Sequence, residues 1–151
     1  NHLTPPSMEQ PQYNLLDRGR FEKEYEPLYE KYGLGTTIWS PLASGALTGK
    51  YLKGIPEGSR ASLSGYEWLK KGMVESDRGK ERMARVASFL PIAEKLNVSM
   101  SKLAIAWCLL NRNVSTVILG ASKMEQLEEN LKSAEVLPLL DETIQQELLL
   151  I

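Results

Sequence analysis

Short strand-like segments alternate with helical segments along the chain. β-branched and apolar residues predict strands at 36–39 and 114–119, and residues 5–13 are typical of a short strand that runs into a loop. Helical periodicity occupies much of the sequence between and after these strands. Because such alternation is typical of parallel strands joined by crossover helices, we expect an α/β fold.

The predicted helices differ in how much of their surface is apolar. Phe21 to Tyr32 carries apolar residues at a spacing of three and four, which predicts an amphipathic helix. Met83 to Leu96 predicts a second helix, which Pro91 should kink or split. Ser99 is expected to cap a third helix, Met100 to Asn111, which is apolar on every side and therefore buried.

Two further helices and one long loop complete the predicted elements. Ser122 and Glu125 have the spacing of a capping box, which predicts a helix from there to about Lys132. Asp141 should cap a last helix. The apolar face of that helix consists of Leu140, Ile144 and Leu148. Residues 42–79 predict a long glycine-rich loop, which its interleaved apolar residues should keep ordered and which we expect to be functional.

Length and charge narrow the class of protein. The chain has 151 residues, whereas a closed (β/α)8 barrel needs about 250 residues and eight strands, so three strands predict the last part of a barrel. Asn1 in place of an initiator Met and the apolar ending Leu148–Ile151 favour a piece of a longer protein, and the alternative is a trimmed small domain. The 18 Lys and Arg residues balance 19 acidic residues, which argues against nucleic-acid binding.

Cys108 has no internal partner and is expected to be a buried, inert thiol.

Polar and aromatic residues follow each predicted strand at its carboxyl end, where parallel α/β folds bind ligands. These residues are Gln10, Trp39, Ser40 and Gly120 to Ser122. Ser122 at a helix N-terminus attracts an anion such as phosphate, and Lys50 and Arg60 supply positive charge. With the flat ring of Trp39, they predict a nucleotide site. The alternatives are core packing for Trp39 and a solvated surface for the two cations.

Three other kinds of site are rejected on the residues present. Gly45 to Tyr51 has three residues between its glycines and no Ser or Thr after the lysine, so it is not a P-loop. Met100 to Asn111 has almost no polar face with which a recognition helix would read DNA. His2 has no Cys or His at ligand spacing, so we expect no metal site.

Two longer stretches resemble a known family. Residues 39–51, Trp-Ser-Pro-Leu-Ala-Ser-Gly-Ala-Leu-Thr-Gly-Lys-Tyr, are similar to the seventh-strand region of aldo-keto reductases. Gly-Ala-Ser at 120–122 and Glu-Gln-Leu-Glu-Glu-Asn at 125–130 resemble their cofactor-binding segment. The similarity is strongest to the branch formed by β subunits of voltage-gated potassium channels. It implies that residues 1–151 are the C-terminal part of a single (β/α)8 barrel domain, from about the sixth strand to the last helices, without its N-terminal part.

The same resemblance implies an NADPH site. Gln10 would hydrogen-bond the nicotinamide carboxamide, and Trp39 would stack near the nicotinamide ring. The pyrophosphate and its ribose would lie along Ser40, Pro41, Leu42, Ala43 and Ser44, under a loop that carries Lys50 and Arg60. The positions around the adenosine ribose and its 2′-phosphate are Gly120, Ser122 and Gln126, and the adenine contacts are Glu129 and Asn130.

The chain departs from the wider family in two ways. Many members carry Lys-Ser and Arg where this chain has Ala121-Ser122 and Gln126, so a strict preference for NADPH over NADH is less secure. The catalytic Asp, Tyr and Lys of the family come from earlier strands and match no position here. Because reduction needs a proton donor beside the carbonyl, we expect no reduction of aldehydes or ketones by this chain alone.

The resemblance leaves three hypotheses for function. In the first, the intact cytoplasmic protein transfers hydride from NADPH to an aldehyde or ketone. In the second, the protein is a regulatory subunit that uses the nucleotide as a redox sensor. Its partner would be the α subunit of a voltage-gated potassium channel, and it would act as a homotetramer at the inner face of the membrane. In the third, the chain is an inactive truncated product that binds no cofactor.

Overall fold

The computed structural model describes residues 3–151, which contain a sheet of three parallel strands. The strands are β1 (Met8–Glu9), β2 (Gly35–Ile38) and β3 (Thr116–Val117), in that spatial order. Met8 pairs with Gly35, and Thr37 pairs with Thr116. The predicted α/β architecture with parallel strands is confirmed. β2 has the predicted length and begins one residue earlier, whereas β1 and β3, of two residues each, are shorter than predicted.

The first predicted helix is divided in two. A π-helical turn, Arg20–Glu24, precedes α1, Glu26–Tyr32, and Tyr25 joins them. The division occurs where Pro27 enters the chain, because a proline is tolerated in the first turn of an α-helix but not in its interior. α1 ends at Gly33, whose φ of 63° is the left-handed conformation of a C-cap glycine.

The long loop predicted at 42–79 consists largely of short helical pieces. These are the 3₁₀ segments Ala43–Thr48 and Arg60–Ser62, α2 (Glu67–Lys70) and a π-helical turn at Lys71–Glu75. Leu47, Tyr51 and Leu69 are buried in the core, as expected for an ordered loop. Trp68 is 65% exposed, so not every apolar residue of the segment packs inward.

α3, Asp77–Lys95, is longer than predicted and continuous. The Ser76 hydroxyl caps it by accepting a backbone hydrogen bond from the first turn. Of the kink or split expected at Pro91, the split is wrong, since the helix continues through it. Pro91 is exposed while Phe89 and Ile92 are buried, so packing of the inner face compensates for the one hydrogen bond that proline removes.

α4, Met100–Leu110, lies at the centre of the core, as its apolar composition predicted. Ser99 Oγ accepts a hydrogen bond from the Lys102 N–H at 3.2 Å, which confirms the predicted cap. The helix packs chiefly against the 3₁₀ segment Lys132–Leu139. Cys108 is fully buried, and burial raises the pKa of its thiol to about 12.

α5, Met124–Leu131, begins later than predicted. Its N-cap is Lys123, so the predicted capping box of Ser122 and Glu125 is wrong. Ser122 is engaged elsewhere, because its N–H and its hydroxyl both donate to Gln126 Oε1, at 3.0 and 3.2 Å.

α6, Glu142–Leu150, follows the predicted cap residue. Asp141 Oδ1 accepts a hydrogen bond from the Ile144 N–H at 2.8 Å. The predicted inner face, Leu140, Ile144 and Leu148, is buried. Across residues 3–151, no helix combines the length and the apolar character needed to cross a membrane. The expectation for His2 concerns a residue outside the described range.

Candidate cofactor site

A cleft of about 390 Å³ opens at the carboxyl ends of β1 and β2. Gln10 and Trp39 both line it, so the fold brings together two of the residues that the sequence singled out. Trp39 is 44% exposed, and a bridge to Gln12 continues the pairing of the two loops beyond β2. The core-packing alternative for Trp39 is therefore wrong, and part of its ring faces solvent.

The turn that follows Trp39 is held in left-handed backbone conformations. Ser40, Ala43, Ser44 and Gly45 have φ values of 57°, 48°, 56° and 92°. A left-handed residue that carries a Cβ costs about 1–2 kcal/mol, so neighbouring contacts must hold this turn in shape. The Ala43 N–H donates to the Ser40 carbonyl at 3.0 Å, and the Ser44 N–H donates to Ser40 Oγ at 3.3 Å.

The turn presents backbone more than side chains to a ligand. Pro41 and Ala43 are buried, and Leu42 is half-buried. Leu42 has φ −98° and ψ 11°, and the next residue is left-handed. Successive right- and left-handed residues direct neighbouring N–H groups into one concave surface, which attracts anions. Here the Ala43 and Ser44 N–H groups already donate to Ser40, and the Gly45 N–H donates to the Leu42 carbonyl at 2.9 Å, so an anion would have to take these donors from acceptors within the turn.

Lys50 lies against the same turn at Gly45. A Cβ placed on Gly45 would lie 2.8 Å from Lys50 Cε and 2.9 Å from Lys50 Nζ, a contact that the flexible end of the lysine could relieve, whereas the φ of 92° itself favours glycine. The ammonium is 5.1 Å from the centre of the Tyr51 ring, and no described carboxylate forms a salt bridge with it. Lys50 is exposed, so its position agrees equally with the solvated surface named as the alternative.

The remaining predicted cofactor residues lie in two other places. Arg60 is exposed at the start of its 3₁₀ segment, and no side-chain hydrogen bond within residues 3–151 ties it to the turn. Gly120, Ser122 and Gln126 are exposed between β3 and the first part of α5. Glu129 is half-buried, and Asn130 is only 5% exposed, which limits what the asparagine side chain offers to a ligand.

A bidentate ion pair lies at the edge of the cleft. Arg82 on α3 donates to Asp17 Oδ1 at 2.8 Å and to Oδ2 at 2.7 Å, and Gln12 Nε2 also donates to Oδ2, at 3.0 Å. The hydrogen bonds from Arg82 are the main reason why the pKa of Asp17 is lowered, and burial opposes them. Asp17 lines the first cleft, and Arg82 lines a second cavity of about 200 Å³ that includes Ser44. The pair therefore lies between the two.

Tyr13 is part of the core beneath the cleft. It is 1% exposed, its hydroxyl donates to Glu22 Oε1 at 2.7 Å, and it accepts from Asn111 Nδ2 at 3.1 Å. Burial raises the pKa of this hydroxyl above its ordinary value. The ring stacks on Phe21 with centroids 4.1 Å apart. These contacts give Tyr13 a structural role in packing the loop that follows β1.

The sequence of the chain matches a known protein family. The model of the Aldo/keto reductase family matches residues 1–147, nearly the whole chain. The chain belongs to the aldo/keto reductase family. A curated relative from Oryza sativa subsp. japonica, described as a probable voltage-gated potassium channel subunit beta, is 51% identical over 139 residues. That match covers 91% of this chain and 41% of the relative, so the chain spans less than half of that protein.

Among the residues that the sequence did not single out, Asn14, Asp17 and Arg82 connect the elements around this cleft most directly. Asn14 Nδ2 donates to the Ser40 carbonyl at 3.0 Å, and Asp17 joins the same loop to α3. The one available signal was the tendency of asparagine to bond the backbone two residues on, as Asn14 does with the Leu16 N–H. The partners 26 and 65 positions away left no local pattern.

Proposed function

We propose that the chain is the cofactor-holding part of an NADPH-dependent aldo-keto reductase. Residues 1–151 would form the C-terminal part of its (β/α)8 barrel, from about the sixth strand to the last helices. The family match and the three parallel strands support this reading. The observation that carries it is the junction at the strand ends, where Gln10 and Trp39 share a cleft beside a left-handed turn that bears Lys50.

Each part of the junction suits a different part of the dinucleotide. The Gln10 amide would pair with the nicotinamide carboxamide, and the exposed face of Trp39 would stack on the ring. The turn at 40–44 would face the pyrophosphate, with Lys50 and Arg60 as countercharges. When bound, NADPH supplies the hydride that reduces an aldehyde or ketone in the intact protein. The fit rests on the cleft that Gln10 and Trp39 line together, with the Lys50 ammonium group close to Gly45 in the adjoining turn.

The adenosine end would lie between β3 and α5. Gly120, Ser122 and Gln126 would surround the ribose and its 2′-phosphate, and Glu129 and Asn130 would contact adenine. Gln126 now accepts the hydrogen bonds of the Ser122 N–H and hydroxyl, so both groups would exchange Gln126 for phosphate oxygens on binding. With no arginine at position 126, we expect the preference for the 2′-phosphate to be weak.

A regulatory subunit is the second candidate function. It is supported by the relative described as a probable voltage-gated potassium channel subunit beta, at 51% identity. In that case the intact protein would bind the α subunit of a channel from the cytoplasm, as a homotetramer, and the bound nucleotide would report the redox state. Turnover with aldehydes supports the first function, and co-purification with a channel supports the second.

NADPH titration of the chain, followed by nucleotide fluorescence, tests the common element of both. Saturable binding that Arg60→Ala and Ser122→Ala each weaken would support the site. Arg112→Ala is a matched control, because it also removes one positive charge but does so at the other end of the sheet. Arg112 is next to Asn113, whose carbonyl accepts a hydrogen bond from Thr36 Oγ1 near the amino end of β2. Folded chain that binds no NADPH would contradict the proposal and favour the inactive truncated product.

A further inference from the structure

A buried asparagine joins the two loops that carry the residues of the cleft. Asn14 is fully buried, and its Nδ2 donates to the Ser40 carbonyl at 3.0 Å. Its Oδ1 accepts the Leu16 N–H and the Asp17 N–H, each at 2.9 Å. One side chain thus closes its own turn through its acceptor and holds the neighbouring loop through its donor.

Ser40 is the residue at which the chain enters the left-handed turn. Its φ of 57° is unfavourable for a residue with a Cβ, so the conformation depends on what the residue contacts. The Ser40 carbonyl accepts hydrogen bonds from Asn14 Nδ2 and from the Ala43 N–H. Of these two donors, only Asn14 belongs to another loop. It ties Ser40 itself to the loop after β1, whereas the backbone hydrogen bonds of Trp39 with Pro11 and Tyr13 end one residue earlier.

We propose that Asn14 is a positioning residue, which holds Ser40 in its left-handed conformation and thereby fixes the turn at 40–45 for a dinucleotide phosphate. The identity of the ligand rests on the proposed function, whereas the effect on the turn rests on these contacts alone. The residue acts through Ser40, since it is itself fully buried.

The chemistry of position 14 requires a carboxamide. The site demands one group that accepts from two N–H donors and one group that donates to a carbonyl, which asparagine provides. An aspartate would keep the oxygen that accepts from the Leu16 and Asp17 N–H groups. Its second oxygen would have no hydrogen to donate and would face the Ser40 carbonyl with a lone pair. Asp17, which Asn14 caps, is itself held by Arg82, so the anchor for the turn extends to α3.

Hydrogen exchange of the ligand-free chain, measured residue by residue with NMR, tests the effect on the turn. Asn14→Ala should raise the exchange rates of the Ala43 and Ser44 amides about tenfold, the factor expected for the loss of one such hydrogen bond. Asn14→Asp is a second variant in case the alanine variant does not fold, because it retains the acceptor for Leu16 and Asp17.

Substitution at Ser40 provides the control. Glycine has no Cβ penalty at positive φ, so Ser40→Gly in the Asn14→Ala background should restore slow exchange at the Ala43 amide. Ser40→Ala also removes the hydroxyl but keeps the Cβ, so it should not restore it. The Ser44 amide loses its Ser40 Oγ acceptor in either Ser40 variant, so the comparison uses Ala43. Unchanged exchange at Ala43 and Ser44 in a folded Asn14 variant, or equal recovery with alanine and glycine, would overturn the inference.

Two ligands separate this role from general damage. NADPH spans the turn, whereas 2′,5′-ADP lacks the pyrophosphate and nicotinamide and would reach only the adenosine end. Asn14→Ala should weaken NADPH binding about tenfold and leave 2′,5′-ADP binding unchanged. Equal weakening of both ligands would overturn the positioning role. If the unaltered chain binds neither ligand, the proposed function fails, and the exchange rates alone decide whether Asn14 holds the turn.

Discussion

Arg82 donates two hydrogen bonds, of 2.8 and 2.7 Å, to the carboxylate of Asp17, which lies 65 positions earlier in the sequence. The pair connects α3 to the loop that follows β1, which carries Gln12 and Asn14. Asn14 of that loop donates a hydrogen bond to the Ser40 carbonyl, so the loop links the Asp17–Arg82 ion pair to the turn proposed to face the phosphate.

We expect Asp17→Asn to destabilise the chain by about 1–2 kcal/mol at pH 7, because it removes the negative charge and replaces one of the two acceptor oxygens of a partly solvent-screened bidentate ion pair with an amide donor. Urea unfolding measures the change. Glu30→Gln is the matched control, since the Glu30–Arg112 pair is longer, at 3.4 Å, and exposed. An equal effect of the two substitutions would contradict the special role of Asp17.

The same pair predicts a pH dependence. The pKa of Asp17 is lower in the folded chain than in the unfolded chain, so its stabilising contribution is complete above the unfolded pKa of about 4. The contribution is lost as the pH falls through the lower, folded pKa. The difference in free energy of unfolding between the native chain and Asp17→Asn should therefore be constant from pH 8 to about 5 and shrink toward pH 3. A difference that grows on acidification would disprove this account.

Gly45→Ala should both destabilise the chain and weaken NADPH binding. An alanine at position 45 would keep the unfavourable backbone φ of 92°, and its Cβ, 2.8 Å from Lys50 Cε, would displace the lysine end from the turn. We expect a loss of about 1–2 kcal/mol from the backbone alone. Gly58→Ala is the control, with a φ of 72° but no atom within 4 Å of the new Cβ. Both variants should lose stability in urea unfolding, and only Gly45→Ala should lose affinity in the fluorescence titration.

Trp39→Ala should reduce NADPH affinity about tenfold through the loss of ring stacking, with a small effect on stability because the ring is 44% exposed. Trp68→Ala removes an equally large ring that is 65% exposed and lines the second cavity instead. Nucleotide fluorescence and thermal melting of both variants provide the comparison. Equal losses of affinity would show that Trp39 has no particular contact with the nucleotide.

Cys108 should be unreactive in the folded chain. It is fully buried, and burial raises the pKa of its thiol to about 12, so almost no thiolate exists at pH 8. A disulfide reagent followed by absorbance should label the residue only after guanidinium unfolding. Rapid labelling of the native chain would mean that α4 opens readily.

The predictions from sequence were most accurate where the cause is local. Ser99 and Asp141 cap the helices they precede, because a side-chain acceptor three residues before an N–H acts within one turn. They were wrong at Pro91 and at Ser122. Burial of the residues beside Pro91 keeps α3 continuous, and Gln126 bonds Ser122 in place of a cap.

The sequence by itself determined the α/β class, the parallel order and the buried α4, because spacing and apolar character decide which face of each element avoids water. It also placed Gln10 and Trp39 at strand ends, and its likeness to aldo/keto reductases named the family. Only the tertiary structure decided that these two residues share one cleft, and that Asn14 and Arg82 support it. Hydrogen bonds between residues far apart in the chain depend on how the strands and helices pack. The apolar spacing shows which face of each element is buried, but it does not show which distant polar side chains meet.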